Sequence, residues 1–297
     1  MLALVAGQGG LPPHLARVLA DRGAMPLICE MEQFPSEVGP DFPRLTFRLE
    51  TLGRFLETLV DRGVTQICLA GAVRRPEVDP ARIDPSTAPL VPRLTAAMAL
   101  GDDGALREII AIIEEHGLAV VGAHQIDPDL LPPGGLLCGS LPGGLEADAA
   151  AARTALAQMG RADAGQAVVV AGGQVIARED DRGTAAMLAD LATGTPMPPQ
   201  DPDAWDTLAT PFTSVADWFT GQQAPRSDPA GGVLFKAAKP GQELRADMPL
   251  IGPDTAVQAV RAGLVGIQLQ AGGVMVLDRP RVIATLAEAG LFLRVAP

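Results

Sequence analysis

Short apolar runs alternate with helical periodicities over the first third of the chain. Residues 2–6 form an apolar run that ends in Gly7-Gln8-Gly9-Gly10, and a helix is predicted from about Pro13 to a stop at Gly23. Strands are predicted over 26–30 and around 45–49, separated by a Pro-rich loop. Leu52, Phe55, Leu56 and Leu59 recur at helical spacing before Gly63, and 67–70 reads as a buried strand. After a second, long Pro-rich loop, Leu106, Ile109, Ile110 and Ile113 mark an amphipathic helix that ends near Gly117, and 118–121 closes the unit as a strand. Strands alternating with helices predict a parallel sheet covered on both faces, with ligands at the carboxyl ends of its strands.

The pattern changes at 127–145, where Asp-Pro-Asp-Leu-Leu-Pro-Pro-Gly-Gly and Leu-Pro-Gly-Gly read as a linker. Beyond it, an Ala-rich helix (146–159) precedes a hairpin signal: 167–171, the turn Gly172-Gly173, then 174–177. A helix follows Gly183, and the Pro/Asp-rich stretch 192–230 supports no assignment. Strands at 233–237, 264–270, 274–277 and 291–295, with helices at 254–262 and 280–289, complete a mixed α/β second half without internal repeat. The predicted fold class is therefore α/β, in three stretches. Residues 1–126 form an N-terminal parallel-sheet domain, 127–145 a linker, and 146–297 a C-terminal mixed α/β domain.

Composition narrows the function classes. Of 297 residues, 47% are hydrophobic, enough for a sizeable core, and the net charge of −12 gives no global attraction for nucleic acid or anionic lipid. Nucleic acid is not an expected partner, and any phosphate must be met by a local cluster of cations. Three scattered cysteines and three histidines argue against a disulfide framework or a Cys/His zinc site. No signal-peptide pattern and no run of roughly 18 apolar residues occurs, so a cytoplasmic location is expected.

Candidate chemistry lies at loop positions. Gly7, Gly9 and Gly10 stand between a strand and a helix, where backbone amides and a helix N-terminus can receive phosphate. A plain structural turn is the alternative reading. Glu30, ending the second strand, sits where a dinucleotide site keeps its ribose acid, yet Pro12 occupies the place of the third glycine of G-x-G-x-x-G and disfavours NAD. Asp102 and Asp103 precede a helix, either as capping and dipole-favouring residues or as metal or ligand contacts. His124 follows the last strand of the first domain and so lies at the carboxyl edge, either as a structural residue or as a ligand contact. The densest cluster runs from Lys236 through Lys239, Arg245 and Asp247: cations for developing oxyanions and a carboxylate for a hard metal or a water. A solvated charged loop is the alternative.

These residues resemble the LpxI family, the UDP-2,3-diacylglucosamine pyrophosphatases of lipid A biosynthesis. The likeness rests on K-x-x-K-P-G-Q-x-x-R-x-D-x-P-x-I-G from Lys236 onward, on Gly101-Asp102-Asp103 through Arg107, and on Gly122-Ala123-His124. It extends to the opening Ala6-Gly7-x-Gly9-Gly10-Leu11-Pro12 and the late Ala271-Gly272-Gly273 through Leu277-Asp278-Arg279. The resemblance implies a Rossmann-like, nucleotide-binding N-terminal domain (1–126), a linker (127–145) and a catalytic C-terminal α/β domain (146–297), with substrate held between the two domains. It implies Mg²⁺-dependent hydrolysis of the diphosphate of UDP-2,3-diacylglucosamine, with water attacking the β-phosphorus, to give UMP and 2,3-diacylglucosamine 1-phosphate. On that basis Asp247 is expected as general base or metal ligand, with Arg245 and Lys239 on the diphosphate. Gly7, Gly9, Gly10, Asp102, Asp103, His124, Lys236 and Gln242 are expected to bind substrate. Substrate and lipid product are the expected partners, and transient contact with the inner-membrane surface and a homodimer are further expectations. One departure stands out: where the family usually reads E-G-T-D, this chain reads Arg182-Gly183-Thr184-Ala185, which leaves Glu179, Asp180 or Asp181 to supply the missing acids. A non-hydrolytic UDP-lipid or nucleotide-binding protein of the same fold is the alternative function.

Overall fold

The computed structural model describes residues 1–73, 76–99, 102–193 and 231–297. Two compact units emerge: Met1–Leu131 with Gly241–Met248, and Pro132–Pro240 with Pro249–Pro297. The unassigned stretch 192–230 lies, from residue 194 on, outside the described residues.

In the first unit β1 (Leu2–Ala6), β2 (Leu27–Met31), β3 (Arg44–Phe47), β4 (Gln66–Ala70) and β5 (Ala119–Val120) form one sheet in the order β3-β2-β1-β4-β5. Every pairing is parallel, so the alternation of strands and helices has the expected outcome. The helices are α1 (Leu11–Asp21), α2 (Leu52–Asp61), α3 (Val91–Met98), α4 (Asp102–Glu115) and the single turn α5 (Ala123–Ile126). One sheet face buries Ala3, Leu27, Cys29 and Ile67 against Leu52, Leu56 and Leu59 of α2 and Ile112 and Ile113 of α4. The alternate positions Leu4, Ile28 and Cys68 are equally buried, as are Leu15, Ala16 and Leu19 on α1. Both faces are therefore covered, which is why these strands read as continuous apolar runs. Burial pushes the Cys29 and Cys68 thiols up to about 12, which keeps them protonated core residues.

The second unit contains β6 (Gly135–Cys138), α6 (Leu145–Arg161), β7 (Ala167–Ala171), β8 (Gln174–Arg178), α7 (Thr184–Thr193), β9 (Val233–Lys236) and β10 (Leu250–Ile251). It continues with α8 (Pro253–Arg261), β11 (Gly266–Gln270), β12 (Met275–Val276), α9 (Arg279–Glu288) and β13 (Phe292–Ala296). A six-stranded mixed sheet runs β6-β13-β11-β9-β7-β8, and β10 pairs with β12 separately. Helix α6 lays Leu145, Ala149, Ala152, Ala155 and Met159 against Val168, Val170, Val233 and Phe235. On the opposite face Met187, Leu188, Ala256, Ala259, Val282 and Leu286 cover Val169, Leu234, Ile267 and Leu293. The stretch read as a linker contains β6, which pairs antiparallel with β13, and among the described residues no helix is long and apolar enough to cross a membrane.

Behind β3, a buried carboxylate ties loops together. Glu50, 2% exposed, accepts Arg48 Nη2 at 2.8 Å and the amide of Asp79 at 2.9 Å. Those bonds, Arg48 foremost, hold its carboxyl down at about 2. A depressed carboxyl stabilises the fold above its ordinary value of 4.5 and loses that contribution as pH falls through the folded value. Glu50→Gln should therefore lower stability at pH 7 by about 1–3 kcal/mol. It should also flatten the decline in melting temperature between pH 4.5 and about 2. Thermal melts by circular dichroism check this; parallel pH profiles for variant and wild type would contradict it.

Candidate active site

The carboxyl edge of the first unit's sheet is built around a close approach of two turns. Gly7 N donates to Ala70 O at 2.8 Å, while Gln8 and Ala72 exchange backbone bonds at 2.9 Å each. A Cβ on Gly7 would meet Ala72 O at 2.6 Å, and one on Gly71 would meet Pro12 Cγ at 2.7 Å. Gly7 is thus required where the turns after β1 and β4 touch, and Pro12, buried against Gly71, does the packing that a third glycine does in the dinucleotide fingerprint. Gly9, at φ +95°, faces open space, and Gly10 is the N-cap of α1 without a side-chain cap. The glycine turn and helix start together offer backbone donors at a strand end.

Residues 241–248 belong to this unit although the chain reaches them late. Asp103 Oδ2 accepts Arg107 Nε at 2.8 Å, and Arg107 Nη2 donates onward to Gly241 O. Arg245 donates to both oxygens of Glu243, each at 2.9 Å, and from Nη1 to Glu114 of α4 at 2.6 Å. These acids raise the Arg245 guanidinium further above its already high range, and Arg245 in turn holds the Glu243 carboxyl below the usual carboxylate range. Ala246 packs on the apolar core. Asp247 is exposed; its Oδ2 accepts Gln242 Nε2 at 2.6 Å, and its amide donates to Glu243 O at 2.9 Å. Next to the turn, a Cβ on Gly122 would lie 2.6 Å from His124 Cε1 and 3.2 Å from Arg245 Cα. Burial lowers the His124 pKa, so its ring is neutral, and its Nδ1 is sealed without a partner among the described residues, as is Asp103 Oδ1.

The expected site residues therefore divide. Gly7, Gly9, Gly10, Asp103, His124, Gln242, Arg245 and Asp247 lie in the first unit, where Asp102 opens α4; Lys236 and Lys239 lie in the second. Lys236 is buried at the end of β9, and its Nζ donates to Thr184 Oγ1 at 2.7 Å. Thr184 donates to Glu179 Oε1 at 2.6 Å, and Glu179 Oε2 accepts the amide of Gln166 at 2.7 Å. Lys239 Nζ pairs with Asp163 at 2.6 Å. Arg182 bonds Asp180 and Asp190 at 2.8 Å each. Sequence reasoning missed Glu114 and Glu243 as the groups that fix Arg245; only the charge opposition within Glu243-x-Arg245 signals one of them locally. Among the described residues no three His, Cys, Asp or Glu side chains converge as a metal site.

The family model described as the LpxI N-terminal domain matches residues 1–130, and that of the LpxI C-terminal domain matches residues 134–294. The chain is also 32% identical over 293 residues to the UDP-2,3-diacylglucosamine pyrophosphatase LpxI of Caulobacter vibrioides, an alignment covering 98% of this chain and 96% of that protein.

The bridging hydroxyl of Thr184 is open to direct test. Thr184→Val takes one bond from a buried ammonium and one from a buried carboxylate, so stability should fall by about 1–3 kcal/mol, while Thr184→Ser should keep most of it. Denaturant unfolding of the three proteins reads the difference, and equal midpoints for Val and Thr would show that the bridge carries no stability.

Proposed function

The chain belongs to the LpxI family, and on that premise we propose that it hydrolyses the diphosphate of UDP-2,3-diacylglucosamine to UMP and 2,3-diacylglucosamine 1-phosphate in lipid A biosynthesis. The observation that carries the reading is the match of both domain models along nearly the whole chain. The turn of Gln242, Arg245 and Asp247, held against α4 and Gly122, supports it with chemistry suited to a phosphoanhydride.

Water attacks phosphorus, the anhydride bond breaks, and its bridging oxygen leaves with UMP. Asp247 takes the water's proton or holds a metal; it is exposed, and Gln242 orients its carboxylate. Arg245 spends three of a guanidinium's five N–H groups on Glu243 and Glu114, which leaves two for phosphate oxygens. Lys239 is assigned to the diphosphate as well, and His124, neutral and beside the turn, to substrate binding. No all-protein metal cage forms among the described residues. Mg²⁺ commonly binds through one or two carboxylates plus substrate phosphates, a mode that the exposed Asp247 fits. When bound, the ion offsets charge on the diphosphate and eases departure of UMP. Arg182 and Ala185, in place of family acids, favour a second reading, a UDP-lipid-binding protein without turnover.

Turnover of UDP-2,3-diacylglucosamine by the purified protein, with Mg²⁺ and with EDTA, decides between the two readings. Hydrolysis abolished by EDTA is expected; tight binding without UMP release would favour the second. Asp247→Ala should lower kcat by about 10²–10⁴. Substrate affinity should be kept or improved, because a negative charge beside the diphosphate is gone. Near-wild-type kcat would remove Asp247 from the mechanism.

A further inference from the structure

Glu30 has no role in the reaction outlined above, yet its place in the sheet is specific. Val5 pairs with Cys29, so Glu30 comes level with the end of β1, one residue before the Gly7 turn. On its other side Glu30 pairs with Thr46 of β3. In the order β3-β2-β1-β4-β5 strands are added first on one side of β1 and then, from β4, on the other, and nucleotide ligands of open parallel sheets bind outside the strand ends at such a switch point. An acid at the end of the second strand, about 20 residues beyond the glycine turn, is the position from which a carboxylate reaches ribose hydroxyls.

The side chain is built for one open acceptor. Oε1 takes three donors: Ser36 N at 3.0 Å, Ser36 Oγ at 2.5 Å and Arg44 Nη1 at 2.7 Å. Oε2 takes none of these bonds, and it is not among the oxygens sealed from solvent without a partner. Arg44 is itself anchored on the carbonyls of Val38 and Gly39, so the carboxylate is held from behind by a braced cation. Ser36 and Arg44 keep the carboxyl below its ordinary range, so it is an anion at neutral pH. Such a group presents fixed lone pairs and no proton, which suits a hydroxyl donor and repels a phosphate.

We propose that Glu30 accepts a hydrogen bond from the 2′-hydroxyl of the uridine ribose and so makes the protein selective for ribonucleotides over 2′-deoxyribonucleotides. The inference rests on the nucleotide substrate proposed above and adds the residue that reads its sugar. A site that hydrogen-bonds a hydroxyl discriminates against the analogue lacking it because its own buried acceptor is left unpaired.

Calorimetric titration of the full chain with UMP and with 2′-deoxy-UMP tests this before any mutation is made. UMP should bind about ten- to a hundredfold more tightly, the range of a hydrogen bond to a charged group. Glu30→Ala and Glu30→Gln should then bring UMP to the 2′-deoxy-UMP level while leaving the deoxynucleotide unchanged. Equal wild-type affinities would overturn the proposal without any variant. A Glu30→Ala protein that weakens on both nucleotides alike would overturn it too, and would make Glu30 a brace for the loop of Ser36. Failure to bind either nucleotide would also overturn it, while turnover of UDP-2,3-diacylglucosamine by the same preparation separately decides the function on which it rests.

Discussion

The first unit is completed by a segment that lies far along the chain, and charge-assisted hydrogen bonds from two arginines hold that segment in place. Arg107 reaches from α4 to the carbonyl of Gly241, and Arg245 reaches from the segment back to Glu114 on the same helix. Isolated surface ion pairs contribute little, but here Arg245 is also gripped by both oxygens of Glu243, and Ala246 adds apolar contact. The geometry of Asp247, Gln242 and the His124–Gly122 neighbourhood depends on this clasp. Without it, Asp247 would sit in an unconstrained loop and the sheet's carboxyl edge would lack its exposed acid.

In the second unit, electrostatics follow a different plan. Lys236 and Glu179 are buried with opposite charge, and the Thr184 hydroxyl accepts from one and donates to the other. Arg182 finds two aspartates, Asp180 and Asp190, so its charge is absorbed locally at the start of α7.

Most of the fold was legible because its interactions are local or periodic. Buried parallel strands read as apolar runs, and α2 and α4 announce themselves through Leu52, Phe55, Leu56 and Ile109, Ile110, Ile113. Helix α3 lay hidden in a stretch opened by Pro92, and β6 between Pro-Pro-Gly-Gly and Gly139, where turn residues mask a four-residue strand. The two-residue strand β10 leaves almost no period to read, whereas its partner β12 falls inside the strand predicted at 274–277. Residue types at the candidate site were legible from the same local text. Their partition was not: whether Lys239 and Arg245, six positions apart, belong to one unit is settled by partners at Asp163 and Glu114, far away in sequence.

The discontinuity of the first unit has a consequence for how the protein is made. A ribosome adds roughly 5–20 residues per second, so Leu131 emerges on the order of ten seconds before Met248. During that interval the nascent sheet and its helices must persist with Glu114 and Arg107 lacking their late partners, while the whole of β6 to β9 is synthesised in between. The amino-terminal unit is the first to start folding, yet it is complete only once Met248 has been added. A fragment cut at the linker would preserve every strand of the sheet and still be permanently at that intermediate stage.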